Sequence, residues 1–381
     1  MIICDITKFW SERAGGVRTY LTEKSKYFQK TDHRHILILP GKENSRETDG
    51  NVTMYRVRSP RLPWDGNYRF LFNAPAIRRI LQEERPDIVE LGDPYVAPWL
   101  VAWGARGLPV QRVAYFHADI VGSHLIPLIA DWASPLIRVV EKVGWSYLRY
   151  VYSQVEATFA ASDIMIRKLH GAGVSNIGIV PLGVDGHFFS PQMADENLRQ
   201  EMRGGKQAAV LYVGRLSSEK GVKWLLSKTE LLSHAGFRLT VIGDGPLKPM
   251  VEELAAKHPD RLAYLGFMKH SDLLAKCYAS SDLFLSPGVH ETFGISLLEA
   301  MASGKPIVVP EGTPGSLLAR DGCGTVFSPQ SDVSLVKALE QAFLHSKSMG
   351  NQARSKAVET YSWDRCFDTL CEQYGKILQT A

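Results

Sequence analysis

The sequence predicts an α/β protein made of two doubly wound halves, each a parallel sheet covered by helices on both faces. Three observations carry this expectation. At 381 residues the chain is longer than one ordinary core. Its apolar runs are short and continuous and alternate with segments of helical period, the pattern of strands buried on both faces. The alternation breaks once, between Gly183 and Gly205, and then starts again.

In the first half, Ile2–Ile6 reads as a strand, and Gly15-Gly16 precede a helix over Val17–Phe28. Further strands are expected at Ile36–Leu39, Val52–Val57, Ile88–Leu91, Arg112–Phe116, Ala157–Ala161 and Ile177–Pro181. A helix spans Ala74–Glu84 and stops before Pro86. The break carries GVDGHFFSP and a charged run, Asp195–Arg203, without a strand. This sets one domain at 1–184, a linker at 185–205 and a second domain at 206–361. The second half offers strands at Ala209–Val213, Leu239–Ile242, Leu262–Leu265, Leu283–Ser286, Ile307–Val309 and Thr325–Phe327. Ser362–Leu378 then forms an amphipathic helix with Phe367, Leu370, Tyr374 and Leu378 on one side. Periodicity gives the helix but not its packing partner.

Composition narrows the class. With 45% apolar and 22% charged residues the chain reads as a soluble globular protein. A net charge of +4 is too weak to argue for nucleic acid, although it suits anionic ligands or a membrane surface. The five cysteines, Cys4, Cys277, Cys323, Cys366 and Cys371, lack metal-ligand spacing and fit a reducing cytoplasm. The opening MIICDITKFW reads as a strand and loop rather than a signal peptide, and no apolar run approaches the ~20 residues of a bilayer span. A cytoplasmic protein is expected, with peripheral contact at the inner face of a membrane left open.

The most informative stretch is Ser286–Pro310, SPGVHETFGISLLEAMASGKPIVVP. Ile295, Leu298, Met301 and Ala302 fall at helical spacing, so Gly294–Ser303 reads as a helix that Gly304 ends. Pro287–Phe293 is then a turn from strand to helix, where open α/β sheets bind ligands. Amides of Thr292, Phe293, Gly294 and Ile295 would point from the helix start toward phosphate or hydroxyl oxygens. Glu291 sits at the mouth of the turn and Glu299 about two turns deeper. Carboxylates at two depths suit the hydroxyls of a long polyhydroxylated ligand; one solvated and one loop glutamate is the plainer alternative.

Other candidates also follow strands. Gly15 and Gly16 let the backbone come close to a phosphate or sugar, or simply make a flexible turn. They lack the G-x-G-x-x-G spacing of a dinucleotide fingerprint, which disfavours NAD. VGRLSSEKG places Arg215 and Lys220 after the second half's first strand, where two cations suit a diphosphate, although surface charge alone explains them too. His117 ends a strand beside Asp119, which is either an acceptor contact or an ion pair or cap. Gly243-Asp244-Gly245-Pro246 and Gly266-Phe267-Met268 follow two more strands. The absence of a D-x-D motif argues for charge stabilisation without a metal. Between His124 and Tyr152, Trp132, Trp145, Tyr147, Tyr150 and Tyr152 mix with Arg138, Lys142 and Arg149. Such a mixture suits a membrane interface or an ordinary packed helix with snorkelling cations.

The segment ETFGISLLEAMASGKPIVV, with its E-x7-E spacing, resembles the retaining glycosyltransferases of family 4. So do Gly214, Arg215, Lys220 and Gly221 in a G-R-x-x-x-x-K-G pattern, the SD pair at Asp163 and the P-x-G-V-D segment at Gly183-Val184-Asp185. The resemblance spans nearly the whole chain. It implies a GT-B fold, two Rossmann-like domains facing a cleft, with the last helix (362–381) crossing back to the N-terminal domain. It implies a nucleotide diphosphate sugar as donor and no cofactor. Glu299 would hold the ribose, Arg215 and Lys220 the diphosphate, and Glu291 with the backbone of Thr292, Phe293 and Gly294 the sugar. Gly214, Gly243 and Gly245 would line the donor site, and Phe267 and Met268 would meet the base through their backbone. Gly15 and Gly16 would lie near donor phosphate and acceptor. His117 would sit near the sugar's primary hydroxyl without acting as general base; in such enzymes the leaving phosphate takes the acceptor proton on the same face. Asp163 and Asp185 would be cleft or hinge features.

PGVHETFG and YFHADIV look most like the family's mannosyltransferases, so GDP-mannose leads among donors, followed by UDP-hexoses. The acceptor would be a saccharide or glycolipid of the cell envelope. The polar loop Lys8–Ala14 departs from the family and bears on acceptor access, and His290 and Thr292 flank Glu291 where the family varies. Rival readings are a sugar-nucleotide epimerase of the same architecture and a catalytically silent nucleotide-sugar-binding subunit. A phosphorylase-like reading would need a pyridoxal phosphate lysine that no segment suggests.

Overall fold

Residues 1–10, 15–62, 65–126 and 136–380 are described by a computed structural model, and they form two units. Met1–Pro181 with Trp363–Ala381 make the first and Leu182–Ser362 the second. The expected loop residues 11–14 and Trp132 lie outside the described residues.

The first unit runs β1 (Ile2–Ile6), α1 (Gly16–Phe28), β2 (Arg34–Gly41), β3 (Ser45–Asp49), β4 (Val52–Arg58), β5 (Arg61–Leu62), β6 (Asp65–Arg69), α2 (Ala74–Glu84), β7 (Ile88–Leu91), α3 (Ala97–Gly104), β8 (Gln111–Tyr115), α4 (Ile137–Tyr152), β9 (Ala157–Ala160), α5 (Asp163–Gly171) and β10 (Ile177–Ile179). Among the described residues its main sheet has eight strands in the order β10-β9-β8-β7-β1-β2-β4-β3. All neighbours are parallel except the pair β3 and β4. The chain builds outward from β1 on one side, then returns to β7 and builds on the other. The order therefore reverses between β1 and β7, and ligands of such sheets bind at the carboxyl ends of the strands beside that reversal.

The second unit runs α6 (Glu196–Arg203), β11 (Ala208–Val213), α7 (Val222–Ser227), α8 (Thr229–His234), β12 (Phe237–Ile242), α9 (Lys248–Lys257), β13 (Leu262–Tyr264), α10 (Asp272–Ser280), β14 (Leu283–Leu285), α11 (Ile295–Ala302), β15 (Ile307–Pro310), α12 (Pro314–Leu318), β16 (Gly324–Phe327), α13 (Asp332–Leu344) and α14 (Ser346–Thr360). Its parallel sheet has the order β13-β12-β11-β14-β15-β16, reversing between β11 and β14.

The stretch 185–205, expected as a linker, instead belongs to the second unit. Asp195 caps α6 by accepting from Leu198 N at 3.2 Å, and its own N–H donates to Ser280 Oγ at 2.9 Å. Arg203 holds Asp282 with two hydrogen bonds, at 2.8 and 2.6 Å. A charged helix that buries only Met202 among its own residues is fastened by polar contacts, which its sequence does not reveal.

The last helix, α15 (Trp363–Gln379), belongs to the first unit. Phe367 is buried there, with its ring centroid 5.6 Å from Tyr20 and 5.5 Å from Tyr27. Deeper still, Lys24 of α1 is wholly buried among charges. Its ammonium donates to Asp5 Oδ1 and to Tyr374 Oη, each at 3.0 Å, and lies 3.3 Å from Glu90 Oε2. Tyr374 in turn donates to Glu90, Tyr20 donates to Glu90 Oε1 at 3.0 Å, and His35 Nε2 lies 2.7 Å from Asp5 Oδ2. Burial alone would raise the Asp5 pKa, but the Lys24 ammonium and the His35 ring hold it well below the usual carboxylate range. For Lys24 burial works downward, and the two carboxylates overcome it and raise its pKa. Among the described residues, no helix is long and apolar enough to cross a membrane.

Candidate active site

The candidate residues of the second unit gather where its sheet order reverses. Arg215 and Lys220 follow β11, Glu291 follows β14, and these two strands are neighbours. Two loops that are far apart in sequence are thereby set side by side at the carboxyl edge. Gly221 makes their close approach possible: its φ is +74°, and a Cβ there would lie 2.9 Å from the Pro287 carbonyl oxygen. The result is a direct pair, with Lys220 Nζ 2.7 Å from Glu291 Oε1. The Glu291 side chain keeps only 15% of its exposure against 34% for Lys220, so the carboxylate is the more enclosed partner.

On the other side of β11 the loops are joined by backbone hydrogen bonds. Leu216 N donates to Asp244 O at 2.9 Å, Leu247 N to Leu216 O at 2.9 Å, and Gly243 N to Gly266 O at 2.9 Å. Tyr212 Oη donates to Arg215 O at 3.0 Å and Tyr264 Oη to Gly243 O at 2.9 Å. The glycines expected in the donor site form part of this layer. A Cβ on Gly243 would fall 1.9 Å from Gly214 O, and one on Gly245 would fall 2.5 Å from Leu216 O. Gly243→Ala is therefore expected to cost about 1–3 kcal/mol by overpacking. Thermal unfolding would show it as a lowered transition, and nucleotide affinity should fall with it because the Arg215 loop shifts. Phe267, which is exposed, and Met268 follow β13, the outer strand on this side.

Gly294, at φ +103°, starts α11, and Phe293 is buried against Tyr361 with ring centroids 5.6 Å apart. The left-handed backbone at Gly294 and the Phe293–Tyr361 contact fix the turn that carries Glu291 and Thr292. Glu299 lies on the second turn of α11 and accepts a hydrogen bond from Tyr278 Oη at 2.6 Å. Burial pushes the Glu299 pKa up to about 7, against the opposing pull of that bond. Tyr278 was not anticipated. Its signal was a phenol on the apolar stripe of α10, beside Leu274 and Cys277, where a buried hydroxyl needs a partner.

In the first unit Gly15 caps α1 and Gly16 opens it, both exposed, and a Cβ on Gly15 would meet nothing within 4 Å. His117 follows β8, stacked on Tyr115 at 4.4 Å between ring centroids and edge-on to Tyr20 at 4.9 Å. Burial lowers its pKa to about 3, so the ring is neutral at any physiological pH and offers hydrogen bonds rather than charge. Asp119 proves to be both cap and ion-pair partner. Its Oδ1 accepts from Gly122 N at 3.1 Å, and Oδ2 pairs with Lys168 of α5. Asp185 similarly accepts from His187 N and Phe188 N, and Asp163 begins α5 after the capping residue Ser162. The aromatic stretch divides: Tyr152 is buried and Trp145 packs against the core, while Tyr147 and Tyr150 are exposed on α4.

Comparison with known proteins agrees with this geometry. The model of "Glycosyltransferase Family 4" matches residues 14–187 and that of "Glycosyl transferases group 1" matches residues 207–345. A GDP-mannose-dependent alpha-mannosyltransferase of Corynebacterium glutamicum is 26% identical, over 99% of this chain and 89% of that protein. A GDP-mannose-dependent alpha-(1-6)-phosphatidylinositol dimannoside mannosyltransferase of Mycobacterium tuberculosis is 28% identical, over 98% and 96%. Among solved structures, sucrose-phosphate synthase from Thermosynechococcus elongatus superposes with a TM-score of 0.79 at 16% identity, covering 100% of both chains. Anabaena HepE in complex with UDP and glucose gives 0.71 at 17% identity, covering 98% and 99%. The fold is GT-B, and the chain belongs to the glycosyltransferases, with a family 4 part followed by a group 1 part.

Proposed function

We propose that this hexosyltransferase moves a mannosyl group from GDP-mannose to a saccharide or glycolipid acceptor, retaining the configuration at the transferred carbon. The reading needs no cofactor and no metal. The observation that carries it is the Lys220–Glu291 pair at the reversal of the second sheet. Likeness to GDP-mannose-dependent enzymes over almost the full chain supports the donor, and the phosphatidylinositol dimannoside named for one relative supports a glycolipid acceptor.

In this reading the donor diphosphate takes Lys220 from Glu291, and the released carboxylate accepts hydroxyls of the sugar. Lys220, together with Arg215, balances the charge that grows on the diphosphate as the bond from the anomeric carbon to its oxygen breaks. The acceptor oxygen bonds to that carbon and its proton passes to the leaving phosphate. Glu299 holds the ribose hydroxyls, and Phe267 and Met268 meet the base through their backbone. His117, neutral, hydrogen-bonds the donor sugar, and Gly15 and Gly16 leave room for phosphate and acceptor. The five cysteines, all free, fit work in the cytoplasm.

The role of Glu299 has a pH signature. As the ionised form accepts the ribose hydroxyls, nucleotide affinity should rise with pH through about 7, and calorimetry across pH 6–8 would record it. Glu299→Gln should bind more weakly and lose that dependence; an unchanged profile would remove Glu299 from the ribose. The donor itself is tested by thermal shifts with GDP, UDP, GDP-mannose and UDP-glucose. A guanine preference supports mannosyl transfer. A uracil preference overturns the donor while leaving the transferase, and no shift with any of them would overturn the nucleotide-sugar assignment of this site.

A further inference from the structure

We infer that the outward face of α4, with the neighbouring tryptophans of α3, is a docking surface for an anionic lipid bilayer. Leu136, Val139, Val143, Tyr147 and Tyr150 are all between 37% and 63% exposed. At 3.6 residues per turn these five fall within roughly 80° of the helix circumference, a single apolar stripe turned to solvent. The face that packs inward is a different one, carrying Gly144, Leu148, Val151 and Tyr152.

Aromatic residues of α3 extend the stripe. Trp99, 49% exposed, stacks on Tyr150 with centroids 6.0 Å apart and donates from Nε1 to Tyr147 Oη at 3.2 Å. Tyr147 Oη donates onward to Pro94 O at 2.8 Å. Trp103 is also exposed and carries the Arg78 guanidinium 5.6 Å from its ring. The rings of Trp99 and Tyr147 thus present flat apolar area with their polar tips already satisfied.

Charge selects the occupant. Arg138, Lys142 and Arg149 are exposed, lie roughly 100–140° around the helix from the stripe's centre on one side, and none forms an ion pair among the described residues. Glu141, the one acidic residue of α4, lies roughly 160° around the helix from the stripe's centre. A bilayer interface matches this order, since aliphatic and aromatic groups sit at the acyl boundary and cations meet anionic headgroups. A second copy of the chain would bring the same cations against this face. The inference deepens the glycolipid-acceptor reading by giving that acceptor's membrane a place to meet the protein, but it rests on surface observations of its own.

The test is co-sedimentation of the full chain with vesicles of phosphatidylcholine and phosphatidylglycerol in equal parts, and with phosphatidylcholine alone. Binding to the anionic vesicles that weakens as salt is raised is the expected result. Val139→Glu with Val143→Glu should lower partitioning by roughly tenfold or more, and Arg138→Glu with Lys142→Glu by a similar factor. All four sites are exposed or at the surface, so melting temperature and nucleotide shifts should match the parent. Failure of the parent to sediment with either vesicle would overturn the inference, as would equal sedimentation of parent and variants. So would a parent dimer that Val143→Glu dissociates, because the face would then belong to a second copy. The glycolipid reading fails separately, if neither parent nor variants transfer to a lipid-linked acceptor dispersed in detergent.

Discussion

Lys220→Ala is expected to lower kcat by about two to three orders of magnitude, the usual effect of removing one fixed donor from a developing negative charge. The charge on the diphosphate is larger in the transition state than in the bound donor, so kcat should fall further than KM rises. Glu291 would also lose its 2.7 Å partner in the donor-free protein while remaining mostly enclosed, so part of the effect would appear as a changed affinity for the donor. Steady-state kinetics with a calorimetric titration of the nucleotide would separate the two effects. Unchanged turnover would remove Lys220 from the diphosphate and with it the main support for the proposed chemistry. Asp195→Ala is the matched control. It removes the cap of α6, worth about 1 kcal/mol of stability, and should leave kcat alone.

Lys24→Met should destabilise the first unit by about 3–5 kcal/mol, the typical result of removing one partner from a buried charge group. Asp5 and Glu90 would be left facing each other without the ammonium between them. With two units present, unfolding need not be a single transition, so the comparison should follow the first unit's own signal in denaturant. The pH dependence carries a sign. Asp5 has a lowered pKa, so its contribution is full above the ordinary aspartate range and is lost as pH falls through the depressed value. In strong acid the parent loses that contribution too, and the gap between parent and variant should narrow. A deficit that persists unchanged into acid would mean that packing of the lysine stem, rather than charge, is what Lys24 supplies.

The contrast between what could and could not be read in the sequence follows from where each element keeps its information. Strands such as β7 and β11 are buried on both faces, so their apolar runs announce them almost to the residue. β3 reads SRETD and is largely exposed at the sheet edge, so no pattern marks it, and only pairing with β4 makes it a strand. The helix α6 looks like a linker because polar bonds fasten it. That Arg215, Lys220 and Glu291 follow strands was legible, because a buried apolar run ends shortly before each of them. Their pairing was not: Lys220 meets Glu291 through sheet order and the Gly221 turn, neither of which has a local signature. Lys24 was missed because a lysine in a helix ordinarily reads as surface. Its signal was position, in line with Tyr20, Leu21 and Phe28 on the buried stripe of α1.

The hydroxyl of Tyr374 closes the Asp5–Lys24–Glu90 group, yet it arrives on a helix encoded after the whole second unit. On the ribosome, therefore, residues 1–181 emerge with the α15-facing side of α1 uncovered and with the Asp5–Lys24–Glu90 group lacking the Tyr374 hydroxyl that completes it. They must wait in that condition while roughly as many residues again are translated, at about 5–20 residues per second. The second unit has no such debt and can fold as soon as it clears the exit tunnel. Order of synthesis and order of completion are thus reversed: the half made first is finished last.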